Sequence, residues 1–120
     1  MKVPLAKIAH TRSGDKGDTA NIGVIAYEER HYRVLLREVT PERVKSHFGD
    51  RVKGRVTRYE LPNLAALNFL LDGALGGGGT LSLRVDAQGK TYGSGLLSMV
   101  IEIDEDDITE PRPSGKDPTR

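Results

Sequence analysis

The stretch His10-Thr11-Arg12-Ser13-Gly14-Asp15-Lys16-Gly17-Asp18-Thr19-Ala20-Asn21-Ile22-Gly23 runs directly into Val24-Ile25-Ala26-Tyr27, and its reading decides the fold. Residues 20–27 are β-branched and almost continuously apolar, which suits a buried central strand. Val3, Leu5, Ile8 and Ala9 suit a short extended segment before it. The polar run between them therefore falls in a loop joining two strands at one end of a sheet. Gly14 and Gly17 can take positive φ at little steric cost, which predicts a tight concave turn. Successive N–H groups in such a turn converge and favour an anion. Asp15 and Asp18 oppose an anion and suit a cation or a hydroxyl, so the stretch marks a site without fixing its ligand.

The candidate ligand- or partner-binding residues are Arg12, Ser13, Gly14, Asp15, Lys16, Gly17, Asp18, Thr19 and Asn21. Their spacing is not that of a phosphate-cradling G-x-x-x-x-G-K-[ST] loop, because Lys16 precedes the second glycine and a strand follows. The calcium-loop pattern fails as well, and no metal is assigned. A turn satisfied by its own carboxylates and Arg12 competes with a binding site. Asn21, an amide inside an apolar strand, needs partners, since leaving one unpaired and buried costs about 1–3 kcal/mol. It either supports the loop from below or faces a ligand. His10, just before the loop, could reach Asp15 or Asp18 and act as an oriented base, or with them hold a divalent ion. Gly76, Gly77, Gly78 and Gly79 form the second candidate, a loop whose entropic cost suggests close approach of backbone to a ligand or partner. No residue is assigned a catalytic role and no cofactor is indicated.

The rest of the chain supplies the scaffold. Tyr32, Leu35, Leu36 and Val39 recur at helical spacing within 28–38. Thr40-Pro41-Glu42 is a helix start, with Thr40 as N-cap, Val44, His47 and Phe48 on one face, and Gly49 as the stop. Residues 51–59 alternate and suit a half-exposed strand, as do 81–85. Asn63 caps a predicted helix whose Leu64, Leu67, Leu70 and Leu71 face the core, with Gly73 at its end. Ala87-Gln88-Gly89-Lys90 turns the chain, and Leu96 to Ile103 forms the last strand, with Gly93 and Gly95 bending the chain before it. The pattern is α+β: a largely antiparallel sheet with helices on one face.

The segment R-S-G-D-K-G-D-T-A-N-I-G at 12–23, with T-x-E-R-V-K-x-H-F at 40–48 and the stretch 63–73 in support, resembles the small ferredoxin-fold domain of the AtuA (acyclic terpene utilization) family. The resemblance runs from about Val3 to Ile103. It implies a ferredoxin-like sandwich over residues 1–104, and the acidic, proline-rich composition of 105–120 predicts a flexible tail after it. It further implies a small accessory chain acting with a larger AtuA-type protein in catabolism of acyclic terpenes or related branched acyl compounds. A stand-alone enzyme using His10, Asp15 and Asp18 with a metal or an acyl substrate is the alternative.

Composition bounds these readings. A chain of 120 residues suits one domain and a real core. It has no cysteine, its first residues lack a secretory apolar run, and no stretch is long enough to span a bilayer. A cytoplasmic protein with no membrane contact is therefore expected. Net charge is +1, and the basic set Arg43, Lys45, Arg51, Lys53, Arg55 and Arg58 has only Tyr59 as a stacking aromatic, which argues against nucleic acid. Exposed sheet edges make homo-oligomerisation plausible.

Overall fold

The computed structural model describes residues 1–74 and 92–108. Its main sheet is antiparallel, with strands β2 (Ala9–Lys16), β3 (Thr19–Ala26), β4 (Val56–Leu61) and β5 (Ala66–Leu71) in the order β2-β3-β5-β4. A second, two-stranded sheet pairs β1 (Lys2–Pro4) with β6 (Val100–Glu102). The helices are α1 (Tyr32–Glu38), α2 (Pro41–Phe48), a short segment over 92–96 (α3) and α4 (Glu105–Ile108). The α+β arrangement and antiparallel sheet are those expected from the sequence.

Strand β3 shows how the core is built. Ala20, Ile22, Val24 and Ala26 are buried, whereas Thr19, Asn21, Gly23 and Ile25 are half-buried. Burial alternates with period two, so β3 is central in its sheet yet covered by helices on one side only. Phe69, Leu67 and Leu71 of β5 lie on the same covered face by register, and all three are fully buried. Val34, Leu35, Val39, Val44 and Phe48 close the core from the helical side.

α2 forms as its sequence predicts. The Thr40 hydroxyl accepts from the Arg43 N–H at 3.2 Å, Pro41 opens the helix, and Gly49 ends it with φ 60°. That bond satisfies one of the N–H groups a helix start leaves open. Here Val44 and Phe48 are buried, while His47 is exposed and its Nε2 meets the Gly95 carbonyl at 2.9 Å.

Three expectations are corrected. The stretch 63–73 is not a helix: Pro62–Leu64 is one 3-10 turn, Ala65 takes a left-handed φ of 50°, and β5 follows. The run Ala66-Leu67-Asn68-Phe69-Leu70-Leu71 satisfies a period of two as well as one of 3.6, and pairing to β3 and β4 decides between them. Residues 51–55 are not strand, since Gly49–Arg51 is a 3-10 turn and β4 begins at Val56. The final strand is confined to Val100–Glu102, and the region of Gly93 and Gly95 is helical. Gly93 serves close packing instead: a Cβ there would overlap Ser13 Oγ and lie 3.1 Å from Thr11 Oγ1. The glycine loop 76–79, the strand 81–85 and the turn 87–90 lie outside the described residues.

Packing in the described residues continues past residue 104. Asp107 is only 3% exposed, and its carboxylate accepts from Arg33 Nε at 3.2 Å and Arg37 Nη2 at 2.9 Å. Burial alone would push this carboxyl up; the bonds from Arg37 and the Asp104 N–H more than reverse that and bring it to about 2.

Candidate functional site

The signature stretch is a β-hairpin, not an open cup. Lys16 pairs with Thr19, leaving Gly17 and Asp18 as a two-residue turn. Gly17 takes φ 62° and Asp18 does not take a positive φ, the pattern of a type II′ hairpin. Gly14 lies within β2, takes no positive φ, and has nothing within 4 Å of where its Cβ would stand. The predicted nest of converging N–H groups is therefore absent. The backbone groups of Gly14 and Lys16 are instead paired with β3.

Strand alternation then distributes the candidate residues over two faces. Ser13 and Asp15 lie on the helix side, in register with buried Ile22 and Ala20. Arg12, Gly14, Lys16, Thr19 and Asn21 lie on the opposite side. The turn is tied down by the Ala74 N–H, which donates to the Asp18 carbonyl at 3.0 Å, and by the Thr19 hydroxyl, 3.2 Å from Asp72 Oδ1. Beside it, the Tyr92 hydroxyl sits 2.7 Å from the Ala74 carbonyl and 2.9 Å from that of Arg51. Burial pushes the Tyr92 phenol up; Arg51 opposes the shift and Asp18 adds to it.

His10 is not brought to the aspartates. It stacks on Tyr27 with ring centroids 5.2 Å apart, on the face away from Asp15, which lies five positions further along the strand, about 17 Å away. Among the described residues no three His, Asp or Glu side chains are grouped to hold a metal ion.

What the fold does assemble is an open sheet face. Register gives the row Arg12–Gly23–Asn68–Tyr59 across all four strands. On one side of it runs Gly14–Asn21–Leu70–Thr57, and on the other His10–Ile25–Ala66–Leu61. Among the described residues no helix packs on this face. Tyr59 is 50% exposed and Leu61 39%, with Tyr27 and Leu64 more exposed still at the same end. Arg12, Asn21 and Asn68 make no side-chain hydrogen bond within the described residues. They surround Gly23, whose missing side chain leaves a shallow floor bounded by Asn68 Oδ1, 4.0 Å from its ideal Cβ. Three side chains rich in donors and acceptors stand unpaired beside exposed apolar groups, a composition typical of surfaces that meet another protein.

Asn68, Tyr59 and Leu61 were not singled out from the sequence. The signal for Asn68 was the one that marked Asn21, an amide within an apolar run. Placing 63–73 in a helix hid the equivalence.

Four of the six basic residues, Arg43, Lys45, Arg51 and Arg58, make internal contacts. Lys45 Nζ donates to the Val52 carbonyl at 2.7 Å and also to that of Gly54. Arg58 donates to the Leu36 and Val39 carbonyls at 2.9 and 3.0 Å, closing the C-terminal end of α1. Arg43 pairs with Glu38 at 2.7 Å, and the Arg51 guanidinium lies 4.8 Å from the centre of the Tyr92 ring. These four cations hold the fold together.

With the sheet and its hairpin in view, the family follows. The model of the AtuA ferredoxin-like domain matches residues 3–102, so the chain belongs to that family, and its fold is an α+β ferredoxin-like arrangement. No curated protein and no solved structure matches it. No helix among the described residues is long and apolar enough to cross a membrane.

Proposed function

We propose that the chain acts as a small accessory subunit of a larger AtuA-type protein, in catabolism of acyclic terpenes or related branched acyl compounds. The open sheet face is its docking surface. The observation that carries the reading is the row Arg12–Gly23–Asn68–Tyr59, in which unpaired polar side chains flank a side-chain-free floor beside exposed Leu61. A partner ridge seated over Gly23 would bury Tyr59 and Leu61 and meet Arg12, Asn21 and Asn68 with hydrogen bonds, giving an apolar core with polar specificity. Family membership supports the identity of the partner. The alternative of a stand-alone enzyme loses its expected site, since His10 and Asp15 lie on opposite faces.

Co-expression with a larger AtuA-type protein tests the reading. The two chains are expected to co-purify and to give a complex in native mass spectrometry. Recovery of the small chain alone, with the larger one folded and abundant, contradicts it.

A further inference from the structure

The open face is not the only unpartnered part of the main sheet. Strand β2 is one of its edges and spans Ala9–Lys16. The Lys16–Thr19 pair closes a two-residue hairpin and is therefore hydrogen-bonded, and the Tyr27 N–H donates to the Ile8 carbonyl at 2.9 Å at the other end. Even-numbered residues of β2 thus exchange their backbone groups with β3. Thr11, Ser13 and Asp15 turn theirs outward. No described residue takes those groups. β6 differs: of its outward groups, the Val100 carbonyl and both the N–H and the carbonyl of Glu102 are occupied by side chains of Arg43, Arg37 and Glu38. Among the described residues, side chains cover most of the β6 edge of the small sheet, whereas none covers the β2 edge of the main one.

From this edge we infer that the chain forms a symmetric dimer by antiparallel pairing of β2 with β2 of a second copy, centred on Ser13. The occupant follows from charge. A two-fold axis normal to the sheet sets residues of one face opposite one another. Centred on Arg12, the two guanidiniums would face each other; centred on Gly14, Arg12 would face the partner's Lys16. Centred on Ser13, Arg12 faces the partner's Gly14 and Thr11 faces the partner's Asp15, so the hydroxyl meets a carboxylate and the guanidinium meets open space. His10 then faces the partner's Lys16, so no two arginines stand opposite one another. The outward N–H and C=O groups of Thr11, Ser13 and Asp15 fall opposite the same set and pair fully.

The register also gives Gly14 and Asp15 a purpose that the single chain does not. Gly14 takes no positive φ and, among the described residues, has no close neighbour, and Asp15 is exposed with no partner among them. In the dimer the sheet becomes continuous through eight strands. Both open faces then point to the same side. This inference is independent of what docks on those faces.

Sedimentation equilibrium on the full chain across the micromolar range tests it, with Gly14→Arg and Gly14→Asp as variants. The position is open, so both variants fold, which circular dichroism checks. The wild type is expected at twice the chain mass. Gly14→Arg sets two cations opposite Arg12 and weakens the dimer about tenfold or more. Gly14→Asp sets two carboxylates there and retains or tightens it. A monomeric wild type overturns the proposal, as does a dimer indifferent to both changes. A dimer broken by Tyr59→Glu and not by Gly14→Arg would also overturn it, because self-association would then use the open face.

Discussion

The Glu38 carboxylate accepts the backbone N–H of Glu102 at 2.9 Å, 64 residues away in sequence, and so takes the place of a missing neighbouring strand along β6. Arg43 and Arg37 complete the substitution, donating to Glu38 at 2.7 and 3.0 Å and to the Val100 and Glu102 carbonyls at 2.6 and 2.7 Å. This network fixes the small β1–β6 sheet to α1 and α2. Glu38→Ala leaves the Glu102 N–H and two guanidiniums without their acceptor, and a loss of about 2 kcal/mol in chemical denaturation is expected.

The same region sets the acid response. Burial pushes the Glu38 carboxyl up, and the bonds from Glu102, Arg37 and Arg43 outweigh it and hold it below its usual value. Asp107 is held down to about 2. For depressed carboxyls the stabilisation is complete above the unfolded value and is lost as pH falls through the folded one. Stability should therefore be flat near neutrality and decline from about pH 4 down to about pH 2. In Asp107→Asn that decline should be shallower, with a lower plateau; an unchanged titration of stability would argue against the clasp on Arg33 and Arg37.

Gly93 and Ser13 form a pair that can be broken and repaired. Gly93→Ala places a methyl group where Ser13 Oγ stands, and a loss of about 1–3 kcal/mol is expected from the overpacking. Ser13→Ala removes that oxygen, leaving Ser13 Cβ 3.4 Å from the new methyl. The double variant should thus recover part of the loss, and a double-mutant cycle reads the coupling. Strict additivity would mean that α3 and β2 do not touch as described.

His31 is 7% exposed, and among the described residues neither ring nitrogen has a hydrogen-bond partner. Removing a buried polar group that lacks a partner relieves its desolvation cost. His31→Leu is expected to raise the melting temperature by several degrees. A fall of that size would show that the imidazole holds a buried water or another group.

How much of this was legible in the sequence depended on which signals were local. The α2 helix needs only Thr40, Pro41 and Gly49, and each acts within its own turn, so it was readable residue by residue. Strand β3 was recognisable from its β-branched residues, but its one-sided burial was not, because Gly23 and Asn21 read as interruptions instead of as one face of an alternating strand. β5 was mistaken for a helix since its apolar run fits both periods and only pairing with β3 and β4 selects one. The hairpin turn could have been found from Gly17-Asp18 alone, the dipeptide a type II′ turn favours. Attending to Gly14 as well widened it into a loop. The open face could not be read at all before the register was known, for Arg12, Gly23, Asn68 and Tyr59 become neighbours only across four strands.

The most direct test of the docking face is the affinity of a larger AtuA-type protein for the wild-type chain against its Tyr59→Glu variant, measured by titration calorimetry. Tyr59 is half exposed and makes no core contact that the fold requires, so the variant should fold normally. At least about a tenfold weaker association is expected if Tyr59 lies inside the contact. Equal affinity for the two chains would contradict the assignment of the open sheet face.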